Sequence, residues 1–424
     1  MNINVQRLSR RLAELSEIGK IEETGVCRPA LSPVEKRAFD LVGGWMEEAG
    51  MKVRIDDFGN LIGRLDGEDA AAPVLMIGSH LDSQPYGGRF DGAAGVLAGV
   101  EAAAALADQG IRPVRPVEVV SFCDEEGWRW GKGLFGSRGI TGQLDLEELS
   151  RVDKDGVTRE QALRDFGCDP DRMAASVYPP GSIHAYLELH IEQGPLLDRL
   201  QVPLGVVTGI SGPVWLTVEF LGFAGHAGSV PMSLRRDALV GAAEAILALR
   251  RIVAQEEGSP GVGTVGDLKV FPNSRNIIPE AVTFTVDLRD IDLERRHRYE
   301  RELRETIASI AVRHGLDYTI RDDFRSEPRY CAEWIQSLIR EEGRRLGYDL
   351  PALMSGPFHD ALALSYVCDY GMIFVRCKNG ISHNPLEFTS TEDLALGTEL
   401  LFRTVRRMIQ TKPVERSWTG DKHE

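Results

Sequence analysis

Two hydrophobic rhythms run along the chain. Ala38, Leu41, Val42, Trp45, Met46 and Ala49 recur at helical spacing, and Gly50 follows where a helix stops, so the first predicted element is a helix. Residues 51–56 alternate apolar and charged side chains, 57–60 carry turn chemistry, and 61–65 read as a returning strand. The pattern then changes. Segments 74–78, 117–122, 186–190 and 372–375 are short apolar or β-branched runs of the kind that strands buried on both faces require. Helical stretches, notably 93–107 and 394–409, accompany them, and this mixture predicts an α/β layer architecture.

The middle of the chain has a different order. Strand-like 214–221 is followed by a long helix at 234–254, strands at 262–271 and 282–288, a second helix at 294–313 and a last strand at 318–321. β-α-β-β-α-β is the ferredoxin-like arrangement. It predicts a compact domain at 211–325, inserted into a larger catalytic domain made of 1–210 and 326–424, with hinges near 205–212 and 322–328. The Ala-rich helix and an exposed sheet edge make the insert the expected dimerisation surface.

Composition narrows the class. With 43% apolar and 27% charged residues the chain is globular, and a net charge of -15 repels phosphate backbones and anionic lipids, so no nucleic-acid or membrane partner is expected. The longest apolar stretch, 93–107, is interrupted by Glu101, and residues 1–12 lack the apolar run of a secretory signal. Six cysteines without a C-x-x-C pair fit a reduced compartment, and the expected location is cytoplasmic.

Four of the predicted buried strands run into unusual polar residues. GSHLDSQP places His80 and Asp82 after the first, CDEEG places Asp124, Glu125 and Glu126 after the second, LELHIEQG ends the third with His190 and Glu192, and GISHNP follows the fourth with His383. Open α/β sheets bind ligands beyond the carboxyl ends of their strands, so these side chains are expected to converge. Asp91, in GGRFDGAAG, lies where glycines let the backbone approach closely and a helix begins. Imidazoles and carboxylates together suit Zn²⁺ or Mn²⁺, and a carboxylate between two ions is the usual centre of a two-metal hydrolase. His80, Asp91, Glu126, His190 and His383 are therefore the expected ligands, with Asp82 orienting His80. Of the adjacent pair, Glu125 is taken as general base and Glu126 as ligand, an order that sequence alone leaves reversible.

Taken singly, each signal has a bland reading: a lone histidine at a strand end is usually packing, and a Glu-Glu pair is usually a solvated turn. Their joint occurrence at strand mouths is what points to a site. GVGTVG at 261–266 matches a dinucleotide fingerprint, yet it leads into strand-like 267–271 rather than a helix and is set aside. His184, His297, His314 and His423 have no supporting context.

Together, GSHLDSQP, GGRFDG, DEEG, ELHIEQGP, HAGSVPMSLRRDAL, PNSRNIIP and ISHNP resemble the amidase branch of the aminoacylase and carboxypeptidase-like metallopeptidase superfamily, over roughly residues 21–409. That branch contains N-carbamoyl-L-amino-acid hydrolases, allantoate amidohydrolases and β-ureidopropionases. The resemblance implies a mixed-sheet dinuclear metallohydrolase domain with an inserted ferredoxin-like α+β dimerisation domain, in a homodimer whose inserted domain helps close the site. It supports two divalent ions (Zn²⁺ or Mn²⁺) on the five ligands, with Asp91 bridging and Glu125 as base. It further implies that His226 stabilises the developing oxyanion in the partner subunit's site, and that Gln193, Asn276 and Arg289 hold a substrate carboxylate. His359 joins these as a substrate contact.

This chain departs from the family pattern at Pro357 and Phe358 before His359, at Arg376 and Cys377 after the last core strand, and at Gly225, Ser229 and Val230 around the HAG segment. Arg376 is expected to add a second cationic substrate contact. The expected reaction is hydrolysis of a C–N bond in an N-carbamoyl amino acid or allantoate-like substrate. An N-acyl-amino-acid amidase and a non-catalytic metal-stabilised binding protein are the alternatives; Pro357 and Phe358 keep the first open and the retained Glu125 opposes the second.

Overall fold

The computed structural model describes residues 1–410. His423 and the last 14 positions assigned to the catalytic domain lie outside the described residues. The described residues form two compact units: Met1–Thr208, Cys331–Leu353 and residues 358–410 make the first, while Gly209–Tyr330 and Met354–Pro357 make the second.

In the first unit, Asp369–Val375, Ile183–Ile191, Val74–His80 and Val117–Phe122 lie side by side and parallel. Antiparallel strands flank them, Leu204–Ile210 on one side and Leu61–Leu65 then Lys52–Ile55 on the other, so the sheet is mixed. Every residue of Val74–His80 and Val117–Phe122 is buried, as the continuous apolar runs require. Helices Pro33–Glu48, Ala93–Asp108 and Thr391–Gln410 supply much of the cover. Ala93–Asp108 is buried from Ala93 to Leu106, with Glu101 inside it.

Glu101 is satisfied by an element that hydropathy does not announce. A helix at Val5–Ser16, capped by Asn4, precedes the one read as first, and its Arg7 donates to both Glu101 oxygens at 2.7 and 2.8 Å. Only Leu8, Arg11, Leu15 and Ser16 of this helix are buried, so its apolar stripe is too thin to stand out. The segment expected as a hinge at 205–212 holds the boundary between the units, at Thr208/Gly209, and is built of strand: Leu204–Ile210 is one strand and Gly212 opens the next. Its glycines serve close approach: a Cβ on Gly209 would lie 2.4 Å from the Arg329 carbonyl oxygen across the strand pair.

The second unit carries strands in the order Val262–Thr264, Ala281–Asp290, Gly212–Leu221 and Asp317–Arg325, with Leu268–Phe271 also paired to Ala281–Asp290, all antiparallel. The single strand expected at 262–271 is thus broken around Gly266. Helices Ala238–Val253 and Leu293–His314 pack with the sheet around Leu216, Phe220, Phe284 and Leu303, completing the β-α-β-β-α-β order. Ala281–Asp290 alternates half-buried and buried residues along its length, the mark of a sheet covered on one face.

No helix among the described residues is long and apolar enough to cross a membrane. All six cysteines are free, and five are buried.

Candidate metal centre

Because the four central strands are parallel, their carboxyl ends share one edge of the sheet. His80 ends the first, His190 lies one residue from the end of another, and the segments carrying Glu125, Glu126 and His383 leave the same edge. The five expected ligands therefore meet. His190 Nε2 lies 3.1 Å and His80 Nε2 3.8 Å from Asp91 Oδ1, whereas His383 Nε2 lies 3.2 Å from Asp91 Oδ2 and 3.7 Å from Glu126 Oε2. These five make two groups that could hold a metal ion, His80–Asp91–His190 and Asp91–Glu126–His383, sharing one carboxylate, and Glu188–His190–His359 is a third such group beside them.

Local backbone chemistry brings Asp91 in. Gly92, at φ +62°, starts the helix Ala93–Asp108, and a Cβ there would fall 2.5 Å from the His80 ring. Asp124, Gln193 and His383 also have left-handed φ of +52°, +54° and +52°. Such conformations cost about 1–3 kcal/mol each in non-glycine residues and cluster at functional sites. Asp124 is held by Arg159 at 2.7 Å with both side chains fully buried.

The donor chemistry fits divalent cations. His80 Nδ1 lies 3.0 Å from the Asp82 carbonyl oxygen and His190 Nδ1 2.9 Å from that of Ile191. Carbonyls only accept, so each Nδ1 carries a proton, and in the neutral ring each Nε2 is left as the lone pair that faces Asp91. His190 Nε2 is buried without a hydrogen bond, facing a carboxylate oxygen at 3.1 Å. Two lone pairs in that arrangement repel unless a proton or a metal cation lies between them. Without a metal, burial opposes protonation of His190, yet Asp91 outweighs it and pushes the imidazole up to about 9; a divalent ion would take that proton's place. Asp82 does hold His80, but through its carbonyl; its carboxylate accepts the backbone N–H groups of Glu125 and Glu126, both at 3.2 Å.

Glu125 and Glu126 occupy different positions. Glu125 Oε2 is 3.7 Å from His80 Nε2, while Glu126 faces His383. Burial, then the charges of Asp360, Glu126, Asp82 and Asp91, push the Glu125 carboxyl well above its ordinary range. Gln84, which the sequence reading passed over, donates its side-chain amide to Glu126 Oε2 at 2.7 Å and its backbone N–H to Oε1 at 3.2 Å. Its place in GSHLDSQP, two residues after Asp82, was the available signal. Glu188 was also passed over. Fully buried, it accepts from Ser79 Oγ, Tyr186 OH and the Ala361 N–H at 3.0 to 3.1 Å.

The remaining expected site residues divide. Gln193 Nε2 donates to Asp91 Oδ2 at 3.1 Å, so it sits at the cluster. His359 is buried with its ring centroid 4.4 Å from that of His190. His226, Asn276 and Arg289 belong to the second unit. His226 is exposed and accepts the Gly228 N–H at Nδ1 (3.1 Å), and its loop is stitched to Asn276 by the Ala227 N–H to Asn276 carbonyl bond at 2.9 Å. Arg289 pairs with Asp287 at 2.8 Å and donates to the Gly356 carbonyl at 2.8 Å. Arg376 makes a two-bond ion pair with Asp393 of the last helix, through Nε at 2.8 Å and Nη2 at 3.1 Å. Glu192 is structural, its carboxylate accepting the Leu196 and Leu197 N–H groups at the start of a short helix.

Known proteins place this architecture. The family model described as peptidase family M20/M25/M40, whose members are metal-dependent, matches residues 76–407. The chain is 45% identical over 411 residues to an N-carbamoyl-L-amino-acid amidohydrolase of Pseudomonas sp. (strain NS671), covering 96% of this chain and 99% of that protein. It is 35% identical to an allantoate deiminase of Arabidopsis thaliana, covering 92% and 80% respectively. A crystal structure of a putative amidohydrolase/peptidase from Burkholderia cenocepacia superposes with a TM-score of 0.90 at 37% identity, over 97% of this chain and 99% of that one. With the shared carboxylate at its strand mouths and these relatives along nearly its whole length, the chain belongs to peptidase family M20/M25/M40, among the carbamoyl-amino-acid amidohydrolases and allantoate deiminases.

Proposed function

We propose that this protein is a metal-dependent amidohydrolase that cleaves a C–N bond of a small N-carbamoyl amino acid or allantoate-like substrate. One observation carries the reading: Asp91 presents each carboxylate oxygen to a separate histidine-containing group, beside a second, differently placed carboxylate at Glu125. The names of the full-length relatives supply the substrate class.

His80, Asp91 and His190 would hold one divalent ion, and Asp91, Glu126 and His383 the other. Imidazole with carboxylate suits Zn²⁺ or Mn²⁺. When bound, such ions polarise the substrate carbonyl and lower the pKa of water. Glu125 takes a proton from the attacking water and returns it to the departing nitrogen. Gln193, Asn276 and Arg289 orient the substrate carboxylate, with His359 beside the reacting group. His226 stabilises the developing negative charge in the site of a second subunit, which makes the working form a homodimer joined through the ferredoxin-like unit. Free, mostly buried cysteines favour a reducing, cytoplasmic setting.

Ammonia release from N-carbamoyl amino acids and from allantoate, with Mn²⁺ or Zn²⁺ added, tests the reading. Wild type is expected to release ammonia and Glu125→Gln to lose turnover while keeping its ions. Cleavage of N-acyl amino acids alone, with no ammonia from either ureido substrate, would sink it.

A further inference from the structure

A buried carboxylate outside the ligand set joins the two halves of the site. Glu387 is 1% exposed, and its Oε1 accepts the backbone N–H groups of both Phe90 and Asp91, at 2.9 and 3.0 Å. Its Oε2 accepts Ser382 Oγ at 2.8 Å. Ser382 Oγ in turn accepts from Gln193 Nε2 at 3.2 Å, and the same Gln193 amide reaches Asp91 Oδ2 at 3.1 Å. The hydrogen bonds close a ring, from the Asp91 carboxylate through Gln193, Ser382 and Glu387 back to the Asp91 backbone. Gly88 leaves room for it, since a Cβ there would lie 2.1 Å from Glu387 Oε1.

The ring has unequal consequences for the two ligand groups. His80 and His190 sit on strands, their rings fixed by backbone carbonyls. His383 lies on a loop, its side chain 49% exposed, next to Ser382 and four residues before Glu387. We propose that Glu387 is a positioning residue that locks the His383 loop to Asp91 and so forms the second cation position, Asp91–Glu126–His383; this rests on the two-ion reading above. Glutamine at 387 keeps the volume, but its amide end can only donate where Oε2 now accepts. Ser382 Oγ would then accept from both Gln193 and residue 387, its proton turned away, and the charge-assisted bond that ties the His383 loop to Glu387 is replaced by a weaker neutral one.

Titration calorimetry of the metal-free full-length protein with Mn²⁺, checked by metal analysis, tests the assignment. Wild type is expected to bind two ions. Glu387→Gln is expected to bind the first with wild-type affinity and the second about 10- to 100-fold more weakly, the usual effect of losing a partner behind a metal ligand. Ser382→Ala, which cuts the same ring at another point, is expected to weaken the second ion alone and carries the test if Glu387→Gln does not fold. Wild-type binding of both ions by the folded variants, or equal weakening of both, overturns the proposal. Glu126→Gln separates the two ideas: loss of the second ion there with none in Glu387→Gln sinks the positioning role alone, whereas a wild-type stoichiometry of one sinks the two-ion reading and the role with it.

Discussion

The two sheets bury their strands in opposite ways. In the first unit the central strands are buried along their length and run parallel, so all their carboxyl ends open on one edge, where His80, Glu126, His190 and His383 meet around Asp91. In the second unit the strands are antiparallel and buried on alternate residues, so neighbouring strands end on opposite edges. Its candidate residues come from loops, as with His226 and Asn276, or pair along a strand, as Arg289 does with Asp287. Parallel topology gathers side chains that are distant in sequence; antiparallel topology offers a stable platform and an open face.

Breaking the first region should have the largest effect. Asp91→Asn removes charge from both ligand groups, and kcat/KM is expected to fall by about 10³-fold or more as the several kcal/mol of charge stabilisation by the ions is lost. Metal analysis should show depletion; full occupancy would contradict the shared-carboxylate reading. Glu125→Gln is milder in kind, with kcat down by about 10²- to 10⁴-fold and both ions retained.

In the second region, Phe284→Ala opens the core between sheet and helices and is expected to cost about 3–5 kcal/mol in denaturant unfolding, without changing metal stoichiometry. A change in stoichiometry would mean that the comparison between the regions is drawn too sharply.

Glu148 offers a pH-resolved contrast within the first unit. Burial opposes its ionisation, yet hydrogen bonds from Arg138 and Lys132 outweigh it and hold the carboxyl at about 2, against 4.5 ordinarily. A depressed acid adds stability that is complete above the unfolded value and is lost as pH falls towards the folded one. Glu148→Gln should therefore be less stable by about 3 kcal/mol near neutrality, and the gap to wild type should close between pH 4.5 and about 2. The smallest effect is expected at Arg376→Ala: a partly exposed ion pair is lost, at about 1 kcal/mol or less, and Michaelis constants stay within about twofold of wild type. A larger rise in KM would restore Arg376 as a substrate contact.

The misses have local causes. The Val5–Ser16 helix went unread because polar and charged residues interrupt its apolar stripe, and its anchor is a charge, Arg7 on Glu101, rather than an apolar face. Leu204–Ile210, which holds the boundary between the units, went unread as a strand, because composition does not separate a glycine chosen for flexibility from one chosen for close strand contact. Gln84, Glu188 and Glu387 look like ordinary polar residues until the atoms they face are known.

By itself the sequence determined the buried strands, the β-α-β-β-α-β insert order and the family, because apolar periodicity and motif order are written in consecutive residues. It also named the side chains that gather at the strand ends, since parallel strands share an edge whatever their spacing in the chain. Only the tertiary structure decided which oxygen of Asp91 faces which histidine, that Asp82 grips His80 by its carbonyl, and that Arg376 pairs with Asp393. Those outcomes depend on ångström-scale distances between segments far apart along the chain, and hydrogen-bond geometry exists only once the segments have packed.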